Sequence, residues 1–201
     1  MNNVPHLYLA SKSPRRRELL GQLGIEFELI DSEVDETPQQ NEQALDYVRR
    51  LAIEKAQAGF QQLVQHNEPC PDSAGVLGAD TIVVIDQEIL GKPKNQADAV
   101  RMLLLLSNRT HQVMTAIAIA KDERLISEVV ITDVSFREIS IQEANDYWLT
   151  GEPADKAGGY GIQGIAGQFI ENINGSYFAV VGLPLMETQR LVNRALVANQ
   201  R

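Results

Sequence analysis

A chain of 201 residues, 44% hydrophobic and 22% charged, carries enough apolar mass for a core, and neither a long disordered region nor a repeat array fits it. The formal net charge of −9 argues against a protein that coats nucleic acid. The longest apolar run, Leu103 to Leu106, is far too short to cross a bilayer, and one cysteine excludes an internal disulfide.

The start of the chain lacks the pattern of a signal peptide, so the expected compartment is the cytoplasm. Cys70 sits among Pro69, Pro71 and polar neighbours and reads as an incidental loop thiol. His6, His66 and His111 lack metal-ligand spacing and read as structural. Cations are unevenly spread: Lys12, Arg15, Arg16 and Arg17 crowd together near the N-terminus of an acidic body, which points to a local anionic ligand.

In chain order, Leu7–Ala10 predicts a buried strand. Ser13 is placed to cap a helix that has Pro14 at its first position, Leu19, Leu20 and Leu23 on one face, and Gly24 as its stop. Phe27–Ile30 predicts a second strand, followed by an acidic loop from Asp31 to Glu36. A long helix is expected from about Gln43 to Gln65, its apolar stripe including Leu45, Val48, Leu51, Ala52 and Ala56. Val76–Ile85 is β-like but interrupted by Gly78 and Asp80; Asp86-Gln87 turns it back into Glu88–Leu90.

Asn95 and Asp98 predict the start of a helix carrying Met102, Leu103 and Leu106. Val113–Ala120 and Glu128–Phe136 read as two strands around an Asp-Glu turn. Ser140 and Glu143 form a capping box for a short helix that ends at Gly151. A glycine-rich loop runs from Gly158 to Gly164. Phe169–Ile173 and Tyr177–Val181 flank Asn174-Gly175 and predict a hairpin, and Pro184 opens a last helix. Strands mixed with helices, several of them in hairpins, predict an α/β protein with a mixed twisted sheet and flanking helices.

Four groups of residues carry candidate chemistry. Ser11, Ser13, Arg15 and Arg16 lie between a strand and a helix start, where free N–H groups attract anions. Arginines in that first turn oppose the helix dipole, an arrangement that a polyphosphate would reverse. Asp80 is a carboxylate inside an apolar strand, which is costly unless it is paired or binds a metal. It is a candidate general base and metal ligand, with Asp35 and Glu36 in the acidic loop as further carboxylates. Asp80 with Glu36 would suffice for magnesium, which commonly takes one or two carboxylates plus substrate phosphates. Lys55, Lys92 and Lys94 matter if they converge on the arginines. Gln163 sits where glycines allow close approach to a ligand.

Several of these motifs occur together in one family. Ser11-x-Ser-Pro-Arg-Arg-x-x-Leu-Leu, Gly78-Ala79-Asp80-Thr81, Lys92-Pro93, Asp155-Lys156-Ala157-Gly158, Gly161-Ile162-Gln163-Gly164, Asn174-Gly175-Ser176-Tyr177 and Val181-Gly182-Leu183-Pro184 resemble the Maf nucleotide pyrophosphatases. The resemblance covers about residues 6 to 193. It implies a single domain over 1–201, with two lobes around a deep cleft in the manner of inosine triphosphate pyrophosphatases. It also implies metal-dependent (Mg²⁺ or Mn²⁺) release of pyrophosphate from a nucleoside triphosphate.

By the same resemblance Asp80 is the proton acceptor, Glu36 joins it near the metal, and Arg15 and Arg16 hold phosphates with Lys55 and Lys92 assisting; the hydroxyls of Ser11 and Ser13, at the strand–helix turn, can add hydrogen bonds to the same oxygens. Arg15, Thr81 and Gln163 mark the branch that acts on dTTP and UTP, with 5-methyl-UTP and related pyrimidines as expected substrates. A homodimer and a role in nucleotide-pool cleansing and division arrest also fall within the resemblance. The alternatives are a sister branch acting on 7-methyl-GTP or another modified purine, and a non-enzymatic protein that arrests septation. Two departures stand outside the catalytic motifs: Asn108, where many members have glycine, and a longer loop from Asn67 to Gly75.

Overall fold

The structure, a computed structural model, describes residues 6–65 and 74–197. Cys70 and His66 lie outside the described residues. The chain forms two compact units, one of Met1–Asp80, Thr115–Val129 and Gly182–Arg201, the other of Thr81–Met114 and Val130–Val181. The result is the expected mixed α/β architecture: parallel and antiparallel strand pairs flanked by helices.

In the first unit, β1 (Leu7–Ala10) lies between β2 (Phe27–Leu29) and β3 (Gly75–Ile85) and runs parallel to both, with Ala10 in register with Gly78. All four residues of β1 are buried, so the strand needs no polar face. Helix α1 (Pro14–Gln22) buries Leu19 and Leu20 and stops where Gly24 adopts a φ of +66°. Helix α2 (Ala44–Gln65) buries Tyr47, Val48, Leu51, Ala52, Ala56, Gly59 and Leu63. Leu45, expected in this stripe, is 36% exposed; it lies in the first turn, ahead of the Ala52–Ala56 stretch that meets β3. Tyr8, Ala10, Leu63, Ala74 and Val76 form one apolar cluster, with Ile30 and Phe60 packed against it. Helix α6 (Leu185–Val192) follows Pro184 and buries Leu191 and Val192.

β3 is continuous through Gly78 and Asp80 rather than interrupted by them, and ten of its eleven residues are buried. In the second unit Asp86 and Gln87, with φ of 49° and 68°, turn it into β4 (Glu88–Leu90), so that Val83 faces Leu90. β5 (Thr110–Lys121) and β6 (Arg124–Phe136) both run longer than their apolar stretches predict. Polar cross-strand pairs carry the early start of β5: Thr110 bonds Ser135 at 2.8 Å and Gln112 donates to Asp133 at 3.2 Å. Asn108 takes the left-handed φ of 55° that glycine would also take, which is why asparagine is tolerated there.

Helix α3 (Gln96–Leu106) is capped by the Asn95 side chain, and α4 (Ile141–Leu149) by the Ser140–Glu143 box, as expected. Their buried faces join Phe136, Tyr160 and Phe169 in the core of this unit.

One expected element is different. β7 (Ile170–Asn174) pairs antiparallel with β6, but Tyr177–Val181 is a short helix, α5, and not the second arm of a hairpin. Ser176 decides this: its hydroxyl accepts the Ala179 N–H at 3.2 Å while its own N–H donates to Thr132 Oγ1 at 3.0 Å. Gly175, at φ +136°, seats the chain against Thr132, where a Cβ would lie 2.8 Å from the Thr132 hydroxyl. The Asn-Gly pair therefore leads into a serine-capped helix.

Candidate active site

β1 and β3 are parallel neighbours, and ligands of α/β sheets gather beyond the carboxyl ends of such strands. After Ala10, β1 yields to the Ser11–Ser13 turn and α1. β3 continues past Gly78 to Asp80, whose side chain is 12% exposed. What stands over Asp80 is set by Gly78. A Cβ on Gly78 would lie 2.3 Å from the Ala52 carbonyl oxygen and 2.5 Å from the Ala56 nitrogen, so the α2 backbone rests directly on the strand. Lys55, on the same turn of α2, then places its Nζ 2.7 Å from Asp80 Oδ1.

The same ammonium lies 2.7 Å from Glu36 Oε1, so Lys55 joins the two carboxylates. The acidic loop is held for this contact at several points. Tyr47 donates its hydroxyl to the Glu36 carbonyl at 2.8 Å. Arg50 grips Glu42 through Nε at 2.6 Å and Nη2 at 2.8 Å, and also donates to the Thr37 carbonyl at 3.2 Å. This fork holds the Glu42 carboxyl down at about 2. Asp35 is spent locally: it accepts the Thr37 N–H at 2.9 Å, and the Thr37 bonds lower its pKa. Of the two neighbouring acids, Glu36 is thus the one that reaches Asp80's partner.

Arg16 donates from Nε to the Gly182 carbonyl at 2.9 Å and from Nη1 to Ser11 Oγ at 3.3 Å. Burial lowers the pKa of its guanidinium; Asp80 and Glu36 act to raise it, while Arg15 adds to the lowering. These charges are therefore in electrostatic contact. Burial first, then the Asp80 and Glu36 charges, push the Tyr47 phenol up to about 12. Ser13 occupies the N-cap position of α1 but forms no side-chain cap; Ser11 Oγ instead accepts the Ser13 N–H at 3.3 Å. The serine that organises the turn is thus Ser11. Lys12 is turned toward Asp31, at 3.1 Å, and Glu33, at 3.5 Å, on the exposed side.

The remaining candidates belong to the second unit. Thr81 follows Asp80 on β3 and is half-buried, while Lys92 and Gln163 are exposed. The glycine-rich loop uses Gly158 and Gly159 at φ +68° and +69°, and the Gly158 N–H donates to the Gly91 carbonyl at 3.0 Å, beside Lys92. Glu152 frames the Gln163 turn. It accepts the Tyr147 hydroxyl at 2.6 Å and the Ile165 N–H at 2.9 Å. It lies so close to Gly164 that a Cβ there would be 2.2 Å from its Oε2.

Sequence reasoning missed Tyr47, Arg50, Glu42 and Glu152, which hold other residues in place. For Glu152 a local signal existed, the Gly151-Glu152-Pro153 step just before Asp155-Lys156. The others act across 8 to 13 residues and carry no spacing signature.

Residues 6–195 match the family of Maf-like proteins. The chain belongs to the Maf family. Among its relatives is a protein of Saccharophagus degradans named dTTP/UTP pyrophosphatase, 51% identical over 96% of this chain and 90% of its own. Proteins of the same name from Aliivibrio fischeri and Shigella dysenteriae are 53% and 52% identical. The first covers 94% of this chain and 98% of its own; the second covers 93% and 91%. A solved structure, that of the Ham1 protein of Staphylococcus aureus, overlaps 68% of this chain and 72% of its own at 16% identity and a TM-score of 0.41.

The site offers a divalent cation the hard carboxylate oxygens of Asp80 and Glu36. Among the described residues no group of three or more His, Cys, Asp or Glu side chains could hold a metal by themselves. That donor set suits magnesium or manganese completed by substrate phosphates, and it does not suit a closed structural site.

Proposed function

We propose that this Maf protein is a nucleoside triphosphate pyrophosphatase that converts dTTP and UTP, and with them 5-methyl-UTP, to the monophosphate and pyrophosphate. The observation that carries the reading is the Asp80–Lys55–Glu36 arrangement beside Arg16, in a chain about half identical to relatives named dTTP/UTP pyrophosphatase. Asp80 accepts a proton from the attacking water. The water oxygen bonds the α-phosphorus, the bridge to the β-phosphate breaks, and pyrophosphate leaves with that electron pair. Arg15 and Arg16, with Ser11, Ser13, Lys55 and Lys92, bind the phosphate oxygens and take up the developing charge.

Asp80 and Glu36 would hold a magnesium or manganese ion, which supplies further positive charge to the phosphates when bound. Lys55 orients both carboxylates before substrate arrives. Gln163, on the turn framed by Glu152, reads the base. Its amide can accept from N3–H of uracil or thymine and donate to a neighbouring carbonyl, provided its orientation is fixed. A nucleoside triphosphate is the substrate in this reading, and no helix among the described residues is long and apolar enough to cross a membrane.

Measuring kcat/KM for the eight common triphosphates, with magnesium and with manganese, tests this. dTTP and UTP should lead, with pyrophosphate released in equal amount to monophosphate. Equal rates on CTP and UTP, or a purine as best substrate, would overturn the base assignment. Absence of turnover on every triphosphate would overturn the enzyme reading.

A further inference from the structure

A pocket in the first unit is lined by Ile119, Lys121, Arg124, Ile126, Arg194 and Ala195 and has a volume of about 120 Å³. None of these residues belongs to the site described above. Its walls follow from the β5–β6 hairpin. The pairs Thr110–Ser135 and Gln112–Asp133 fix the register, and the same count sets Ile119 opposite Ile126 and Lys121 opposite Arg124. Two apolar residues and two cations of the hairpin thus line the pocket, and the cations stand opposite each other, where like charges are destabilising.

Lys121 is the unusual member. The residue is only 4% exposed, and its side chain makes no hydrogen bond or ion pair with any described residue. Its ammonium is not itself fully buried, so it can meet a counter-charge in the pocket. Nearby acids do not supply one: Asp122 and Glu123 form no ion pair with it, and Glu128, farther along the same face of β6, pairs with Arg190. Arg194, four residues beyond Arg190, is exposed and has no carboxylate partner among the described residues. The helical segment that pairs one arginine with the strand thus brings the next to the pocket with no carboxylate partner among the described residues. On a chain of net charge −9, this is a concentrated positive spot.

We infer that this pocket is an anion site, distinct from the Asp80 site, that takes a phosphate-class dianion. Several cations around one small volume favour a doubly charged group over a carboxylate. At roughly 30 Å³ of liquid per water, the volume admits a phosphate group and little more. A nucleoside attached to that group would lie outside it. The shared chemistry is therefore a free phosphate, a pyrophosphate, or the terminal phosphate of a nucleotide.

Calorimetric titration tests this in an Arg16→Ala background, which weakens phosphate binding at the other site. With inorganic phosphate as probe, one binding event should remain. Lys121→Met and Arg194→Ala should each weaken it by about tenfold or more, the loss of a charge-assisted contact. Arg194 is exposed, so its variant keeps the result interpretable if Lys121→Met fails to fold. Separate titrations with pyrophosphate and with dTTP identify the source by which binds tightest, and acetate should bind at least tenfold more weakly than phosphate. In the otherwise unaltered protein both pocket variants should keep kcat for triphosphate hydrolysis. Phosphate affinity unchanged in both variants, or acetate bound as tightly as phosphate, would overturn the proposal.

Discussion

Gly78→Ala tests how the site is built, because it alters no charged or reacting group. The added Cβ meets the Ala52 carbonyl at 2.3 Å and the Ala56 nitrogen at 2.5 Å, and both are backbone atoms that cannot rotate away. Ordinary contact begins near 3.4 Å, so α2 must retreat from β3 by about 1 Å. Overpacking of this kind costs about 1–3 kcal/mol, which lowers the thermal midpoint by roughly 2–12 °C for a chain of this size.

The larger effect falls on Lys55. Its contacts with Asp80 and Glu36 are both 2.7 Å, and a 1 Å withdrawal breaks the joint geometry of the pair. Misplacement by 1 Å in a catalytic constellation costs about 10²-fold in rate. The assay is kcat/KM on dTTP beside circular dichroism and thermal melting. Gly21→Ala is the control, since its Cβ meets nothing within 4 Å; it should keep activity and gain up to about 1 kcal/mol of stability. A Gly78→Ala protein with unchanged melting and unchanged kcat/KM would refute the claim that close packing at this glycine positions Lys55.

Asp80→Asn should preserve the fold and reduce turnover to near background, read by circular dichroism beside pyrophosphate release; substantial activity would remove Asp80 as the base. Arg15→Ala and Arg16→Ala should each lower kcat/KM at least about tenfold, about 1.4 kcal/mol or more, and unchanged kinetics in both would leave the basic cluster a solvated face. His111 is buried beside Phe136, its Nε2 2.7 Å from the Tyr160 hydroxyl, and burial pushes its pKa down from 6.5 to about 4. The unfolded chain therefore binds the extra proton first, so stability is full above pH 6.5 and falls by about 3 kcal/mol as pH drops toward 4. Melting curves from pH 7 to 4.5 should show this added slope in the unaltered protein and not in His111→Phe.

Elements defined by local chemistry were legible in the sequence. Asn95, Ser140 and Glu143 announced two helix starts because capping involves residues three apart, and the structure shows those bonds. Asp86-Gln87 was legible as a turn for the same reason. The sequence pattern failed where a distant partner decides. Asn174-Gly175 carries a strong hairpin signal, but Thr132, more than forty residues away, accepts the Ser176 N–H and leaves Ser176 to start a helix. Ser13 looked like the cap of α1, yet Ser11 takes that turn's N–H while Arg16 draws Ser11 toward itself.

The candidate site divides along the same line. That Asp80 matters was visible from a carboxylate placed among apolar strand residues. Its partner was not, because Lys55 lies 25 positions away on a helix whose distance from the strand depends on one missing methyl group. Gly78 looked like a break in the strand when judged by propensity. In three dimensions its lack of a side chain is what lets β3 stay unbroken beneath α2. A valine there would have strengthened the β pattern and displaced the helix that carries Lys55. Propensity and function therefore make opposite demands at position 78, and the glycine satisfies the functional one.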